Sequence, residues 1–167
     1  TKAFFIDRHR RYWIATKEDN AVKIFNGDNS FAGYLAPNGN IVKTKVRLDA
    51  PVYCMKQVGN GDIWIGSKPG GLFRLREMNG GAAYRMERIH GLTCNDVYDI
   101  AEDHWGRLWI ATLGGGICCV ENPTAVQPRI IKPFSGMRYY PRKMAQKVRK
   151  LFITKNNVML AASTDGL

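Results

Sequence analysis

Residues 96–120 read DVYDIAEDHWGRLWIATLGGGICCV. The order is strand, tight turn, strand, glycine-rich turn, strand. Its middle segment, RLWIAT, joins an aromatic–aliphatic pair to small residues, as a strand with close neighbours on both faces requires. Three other stretches repeat it: YWIATKEDNAV at 12–22, IWIGSKPGGLF at 63–73 and VMLAASTDGL at 158–167. Trp13, Trp64, Trp109 and, in the last copy, Met159 serve as anchors, spaced by 51, 45 and 50 residues. A period of about 40 to 50 residues with several strands per repeat points to β-propeller blades.

The match continues outside the tryptophan strand. Val52, Val97 and Val148 open the preceding strand; Met55, Ile100 and Leu151 follow three places later, with Phe4 in the first copy. Asp7 and Asp103 stand before the turn, where Val58 and Thr154 replace them. Gly61 and Gly106 fill the turn, replaced by Arg10 and Asn156 in copies one and four. A four-stranded blade cannot bury both faces alone and must stack on its neighbours. Tryptophan is a wide apolar body with one donor, so Trp64 and Trp109 are expected to be largely buried between blades. The small residues Ala15, Gly66, Ala111 and Ala161 would allow close approach beside the anchors.

The pattern V-x-x-I-x-E-D-x-x-G-x-L-W-I-A-T-x-G-G-G-I at 97–117 resembles the two-component regulator propeller repeat. The second copy matches through Gly61, Trp64, Gly66, Gly70 and Gly71; the first lacks the turn glycine and has Glu18-Asp19-Asn20 in place of the glycines; the fourth has lost its tryptophan. The resemblance implies the periplasmic sensor part of a membrane-anchored hybrid histidine kinase of Bacteroides-type bacteria. It further implies recognition of oligosaccharides, with the phosphotransfer chemistry outside this segment, which carries no kinase or receiver motif.

The fold class is therefore all-β, a propeller segment of about three and a half four-stranded antiparallel blades, expected at 1–50, 51–91, 92–145 and 146–167. In the first blade the strands are read at 1–6, in YWIAT, in AVKIF at 21–25 and in IVKTKVRL at 41–48, with 26–40 as a loop. PVYCMKQV, DIWIGS, GLFRLREM and AAYRMERI supply the second blade. VYDIAED, RLWIAT, GICCVEN and a strand within RIIKPF at 129–134 supply the third, and VRKLFITK and VMLAAS begin the fourth. That is 14 strands. No run approaches the ~20 apolar residues of a membrane span, and no signal peptide precedes the first strand. Both ends read as cut from a longer protein, and the open half-blade edge is expected to support a homo-oligomer.

The net charge of +11 favours anionic partners through steering, with the basic run from Arg138 to Lys150 as its densest part; an ordinary solvated surface is the plainer alternative. Any glycan bound is thus expected to be acidic, and nucleic acid is not among the expected partners. Cys54, Cys94, Cys118 and Cys119 show no CxxC spacing, so neither a metal nor a cofactor is expected. Cys118 and Cys119 should point to opposite faces of their strand, one of them buried.

Enzyme signatures do not persuade. The glycines 114–116 follow a strand, but no helix follows them to complete a phosphate loop. His9, His90 and His104 lie near turns without ligand spacing, and Asp7 and Asp103 read as turn caps. Binding is the better class. By propeller convention, the loops entering each first strand and those after each second strand share one face. They carry Lys17, Glu18, Asp19, Asn20, Lys68, Asn95 and Asp96, while Tyr53, Tyr98 and Arg149 hold equivalent places one residue into the first strands. Aromatic faces stack on sugar rings, and charged or amide groups fix hydroxyls and acid groups. Of these ten positions, all but Glu18 are the candidate ligand residues, with ordinary polar loops as the alternative. A propeller scaffold that binds protein, or a propeller lyase, are the rival functions.

Overall fold

Four identical turns set the architecture. In each, the backbone N–H of the fourth residue donates to the carbonyl of the first: Arg10 to Asp7 at 2.9 Å, Gly61 to Val58 at 2.9 Å, Gly106 to Asp103 at 3.0 Å and Asn157 to Thr154 at 2.9 Å. The donor residue has a left-handed φ in all four, at 61°, 95°, 77° and 60°. Glycine adopts that region freely, and asparagine tolerates it better than most residues.

The computed structural model describes residues 2–133 and 147–164. Blade one is β1 (Ala3–Ile6), β2 (Tyr12–Ala15), β3 (Val22–Phe25), β4 (Phe31–Leu35) and β5 (Ile41–Val42). Blade two is β6 (Val52–Gln57), β7 (Ile63–Ser67), β8 (Gly71–Met78) and β9 (Ala83–Ile89), with a short 3₁₀ turn at Asn79–Gly81. Blade three is β10 (Val97–Glu102), β11 (Leu108–Thr112), β12 (Gly116–Val120) and β13 (Ile130–Ile131); β14 (Val148–Ile153) and β15 (Met159–Ser163) begin blade four. Each sheet is an antiparallel meander in chain order. The first strands lie side by side, β1 against β6, β6 against β10 and β10 against β14. The fold is a β-propeller arc with the first strands innermost.

The core is three seams between blades rather than one centre. Trp13, Ile24 and Leu35 of blade one meet Ile63, Ile65, Leu75 and Tyr84 of blade two. Cys54, Trp64 and Leu72 meet Val97, Ile100, Leu108, Ile110 and Val120 of blade three. Ala111 and Ile117 meet Val148 and Leu151 of blade four. Each tryptophan thus faces the following blade.

Several expectations need correction. FAGYL, within the stretch read as a loop, is strand β4, framed by two tight turns. Asn26 N–H bonds Ser30 O at 2.8 Å before it, and Ala36 N–H bonds Asn40 O at 2.8 Å after it. The expected outer strand at 41–48 is reduced to Ile41–Val42, so the described residues hold 15 strands rather than 14. In the fourth copy the tryptophan place belongs to Leu160, not Met159, and the turn place to Asn157, not Asn156. Thr154 N–H donates to Val158 O, and Leu160 pairs with Phe152 as Trp109 pairs with Ala101. Ala162, not Ala161, then follows Ala15, Gly66 and Ala111.

Trp13 and Trp64 are fully buried, but Trp109 is only half-buried. Tyr84 from an outer strand of the next blade packs edge-on against Trp13, with ring centroids 5.6 Å apart. Trp109 looks onto the blade whose described strands are β14 and β15 alone. Cys118 and Cys119 are both buried, one in the seam with blade two and the other beside Trp109 and Ile131 in the ladder. The end of blade three as expected at 145, and Arg138 to Gln146 of the basic run, lie outside the described residues.

Candidate functional site

The same irregularity recurs in the first strands of blades two, three and four. In β6 the pairing skips from Val52 to Cys54, in β10 from Val97 to Asp99 and in β14 from Val148 to Lys150. The residues left out are Tyr53, Tyr98 and Arg149. A β-bulge re-aims the side chain it carries, and three at one place turn equivalent side chains to one side.

They form a row. The Tyr53 and Tyr98 ring centroids are 4.9 Å apart. Arg149 Cζ lies 5.7 Å from the Tyr98 centroid, and Lys2 Nζ lies 4.5 Å from the Tyr53 centroid. Lys2 holds in β1's approach the place that Tyr53, Tyr98 and Arg149 hold in their copies, five residues before the turn. From the glycine turn of blade two, Lys68 Nζ donates to the Tyr98 hydroxyl at 3.1 Å and stands 3.4 Å from Asp96 Oδ2. The Tyr98 hydroxyl, and with it Asp96, hold the Lys68 ammonium above the ordinary lysine range. The tyrosines and Lys68 are half-buried, while Lys2 and Arg149 are exposed.

Asp99 braces the row. Its buried carboxylate accepts the Leu151 backbone N–H at 2.9 Å and Lys150 Nζ at 3.1 Å. That bond ties β14 to β10 beside the bulge that carries Arg149. Neither Lys2 nor Asp99 was among the sequence candidates. The alignment of copies contained a signal for both, since Lys2 is in register with the row and Asp99 and Lys150 occupy one place in successive copies with opposite charge.

The structure brings together Tyr53, Lys68, Asp96, Tyr98 and Arg149. Asp19 and Asn20 make other contacts. Asn20 O accepts the Leu48 N–H at 3.0 Å, and Asp19 pairs with Lys45 at 2.7 Å. Lys45, with the Thr16 hydroxyl, holds the Asp19 carboxyl well below its ordinary range. The segment after β5 thus folds over this turn and occupies its polar groups. Lys17 is exposed on the same turn and makes no contact with the row. Asn95 fits against Gly71, where an added Cβ would stand 2.9 Å from its Oδ1.

The row offers two aromatic rings, three cations and one carboxylate. Rings of this kind stack on the apolar faces of sugars, and a guanidinium or ammonium takes carboxylate or sulfate oxygens. Among the described residues no three His, Cys, Asp or Glu side chains converge as a metal site, and no helix is long and apolar enough to cross a membrane.

Residues 91–114 match the family model of the two component regulator propeller. A comparison with curated proteins by sequence found no match. Among solved structures, the chain resembles PorZ, a bacterial surface component of the type-IX secretion system of Porphyromonas gingivalis. Identity is 18%, the TM-score is 0.71, and the match covers 98% of this chain and 24% of that one. Virginiamycin B lyase from Staphylococcus aureus is similar at 14% identity and TM-score 0.68, over 99% of this chain and 53% of that one. The extracellular domain of a putative hybrid two component system from B. thetaiotaomicron is similar at 16% identity and TM-score 0.62, over 97% and 21%. The chain thus spans between about a fifth and a half of these proteins, and at such identities the likeness concerns the fold. The segment is a β-propeller arc whose residues 91–114 match the two component regulator propeller model.

Proposed function

We propose that this segment belongs to the extracytoplasmic sensor of a two-component system. On this reading the row from Lys2 through Tyr53 and Tyr98 to Arg149 recognises an acidic oligosaccharide, and binding is passed to a membrane-anchored histidine kinase. The observation that carries the reading is the recurrence of one bulge in three first strands. A sheet gains no stability from skipping a residue, so repetition at one place favours a role for the side chains it presents. The regulator-propeller repeat and the likeness to a hybrid-system extracellular domain support a sensor over an enzyme. A lyase shares the fold, but the histidines here do not cluster: the His9 imidazole lies against Glu77, and His104 sits in a separate turn, where its backbone N–H donates to Asn157 Oδ1.

Calorimetric titration with a uronate or sulfated oligosaccharide tests the reading. Affinity should fall as salt rises, since exposed charges are screened beyond about 8 Å at physiological ionic strength. Tyr98→Ala should weaken binding by about tenfold, equivalent to ~1.4 kcal/mol. Tight, salt-insensitive binding of a neutral glycan would refute the acidic preference.

A second reading is a protein-interaction scaffold, favoured by one observation. Trp105, on the opposite end of blade three, is 73% exposed, and exposed tryptophans are frequent anchors of protein interfaces. Retained glycan binding in Trp105→Ala, with loss in Tyr98→Ala, separates the two.

A further inference from the structure

Three places after the tryptophan, blades one, two and three each carry a hydroxyl: Thr16, Ser67 and Thr112. Two of these close the turn that follows them. Thr112 Oγ1 donates to Gly116 O at 2.8 Å and accepts the Gly115 N–H at 3.1 Å, and Thr16 Oγ1 donates to Asp19. Ser67 breaks the pattern. Its Oγ has no partner, although the residue is 2% exposed. A buried hydroxyl without a partner is uncommon and calls for an explanation.

Ser67 lines a cavity of about 100 Å³ between blades one and two, walled by Pro37, Leu48, Ile65, Phe73 and Met86, with the exposed Asp49 among its lining residues. Gly70 keeps it open: an added Cβ would stand 2.6 Å from Ser67 Oγ and 3.3 Å from Ala50 Cβ. Gly70 has no left-handed φ, so space rather than backbone strain accounts for a glycine there. A buried water needs two to four polar partners, and these walls offer little beyond one hydroxyl and an outer carboxylate. The surroundings suit a small group that is apolar at one end and polar at the other.

We propose that this cavity takes the acetamido group of an N-acetylated sugar. Its four non-hydrogen atoms suit the volume. The methyl would pack on the aliphatic and aromatic walls, the amide oxygen would accept the Ser67 hydroxyl, and the amide N–H would donate toward Asp49. The proposal rests on the reading that the chain binds an oligosaccharide. It adds which sugar substituent is selected, at a cavity separate from the tyrosine row.

The test is saturation-transfer NMR and titration with N-acetylglucosamine, glucosamine and glucose as probes. N-acetylglucosamine should bind about tenfold more tightly than glucose, the worth of one methyl burial and one hydrogen bond, with the strongest saturation on its acetamido methyl. Ser67→Ala should reduce and Gly70→Ala abolish that preference, in variants whose melting temperatures stay near that of the parent. Tyr98→Ala should leave it intact while weakening the acidic oligosaccharide, so the two readings fail separately. Equal binding of the three sugars overturns the proposal. So does a preference that survives both cavity substitutions, or a crystal soaked with N-acetylglucosamine that places only a water on Ser67 Oγ.

Discussion

Truncating the two best-matched tryptophans should give unequal losses, and the difference follows from which blade covers each. Trp13 is fully buried, donates to Asp7 Oδ2 at 2.9 Å and meets Tyr84 edge-on. Trp109 makes the same bond to Asp103 at 2.9 Å but is only half-buried. Removing a buried tryptophan costs about 3 to 5 kcal/mol, and an aromatic edge pair adds about 0.5 to 1.5 kcal/mol. Trp13→Ala should therefore cost about 4 to 6 kcal/mol. For Trp109→Ala roughly half the transfer is at stake, giving about 2 kcal/mol. Urea unfolding read by far-UV circular dichroism, with the slope checked for constancy, measures both. Equal losses, or a larger loss at Trp109, would refute the assignment of each tryptophan to the seam with the following blade.

Other outcomes follow from the same geometry. Met159 packs into the seam with blade three, whereas Leu160 is 46% exposed. Met159→Ala should thus cost about 1 to 3 kcal/mol and Leu160→Ala under about 0.5 kcal/mol, measured by the same denaturation; the reverse order would restore Met159 to the tryptophan place. Asp103 is pulled below its ordinary value of 3.8: burial raises it, but the bonds from Trp109 and Arg107 outweigh burial. Its contribution to stability is complete above that value and lost as pH falls through the lower folded one. Asp103→Asn should flatten stability against pH below about 4, and an unchanged acid limb in the variant would count against it. Arg74, buried over the Trp64 ring, donates to the carbonyls of Pro123, Ala125 and Val126 and pairs with Glu87. Arg74→Ala should cost about 3 to 5 kcal/mol by thermal or urea melts, far more than a surface arginine such as Arg88, which is exposed.

Where the sequence was legible, the reason was packing. Trp13, Trp64 and Trp109 mark the blades because a seam needs a wide side chain at one place per copy, and the turn residues recur because the backbone needs a left-handed residue there. Copy four slipped by one residue because Leu160 and Val158 carry no such mark. Strand β4 was hidden by the closeness of its two turns, which together read as loop. The bulges were not legible either, since V-Y-C, V-Y-D and V-R-K alternate like any strand and nothing in them announces a skipped pair. The grouping of Tyr53 with Tyr98 and Arg149 could be read from the alignment, but not its geometry. The contacts of Asp19 and Asn20 were not legible because their partners, Lys45 and Leu48, come from a connection read as strand.

The central claim is that the bulged residues of the first strands form a binding row. Chemical-shift mapping on the labelled protein, titrated with an acidic oligosaccharide such as an oligogalacturonate, tests it most directly. The largest changes should fall on Lys2, Tyr53, Lys68, Tyr98 and Arg149, with Asp99 and Leu151 following because their hydrogen bond sets the position of Arg149. Changes centred instead on Lys17 to Asn20 or on Trp105, with the tyrosine row unmoved at saturation, would contradict the account.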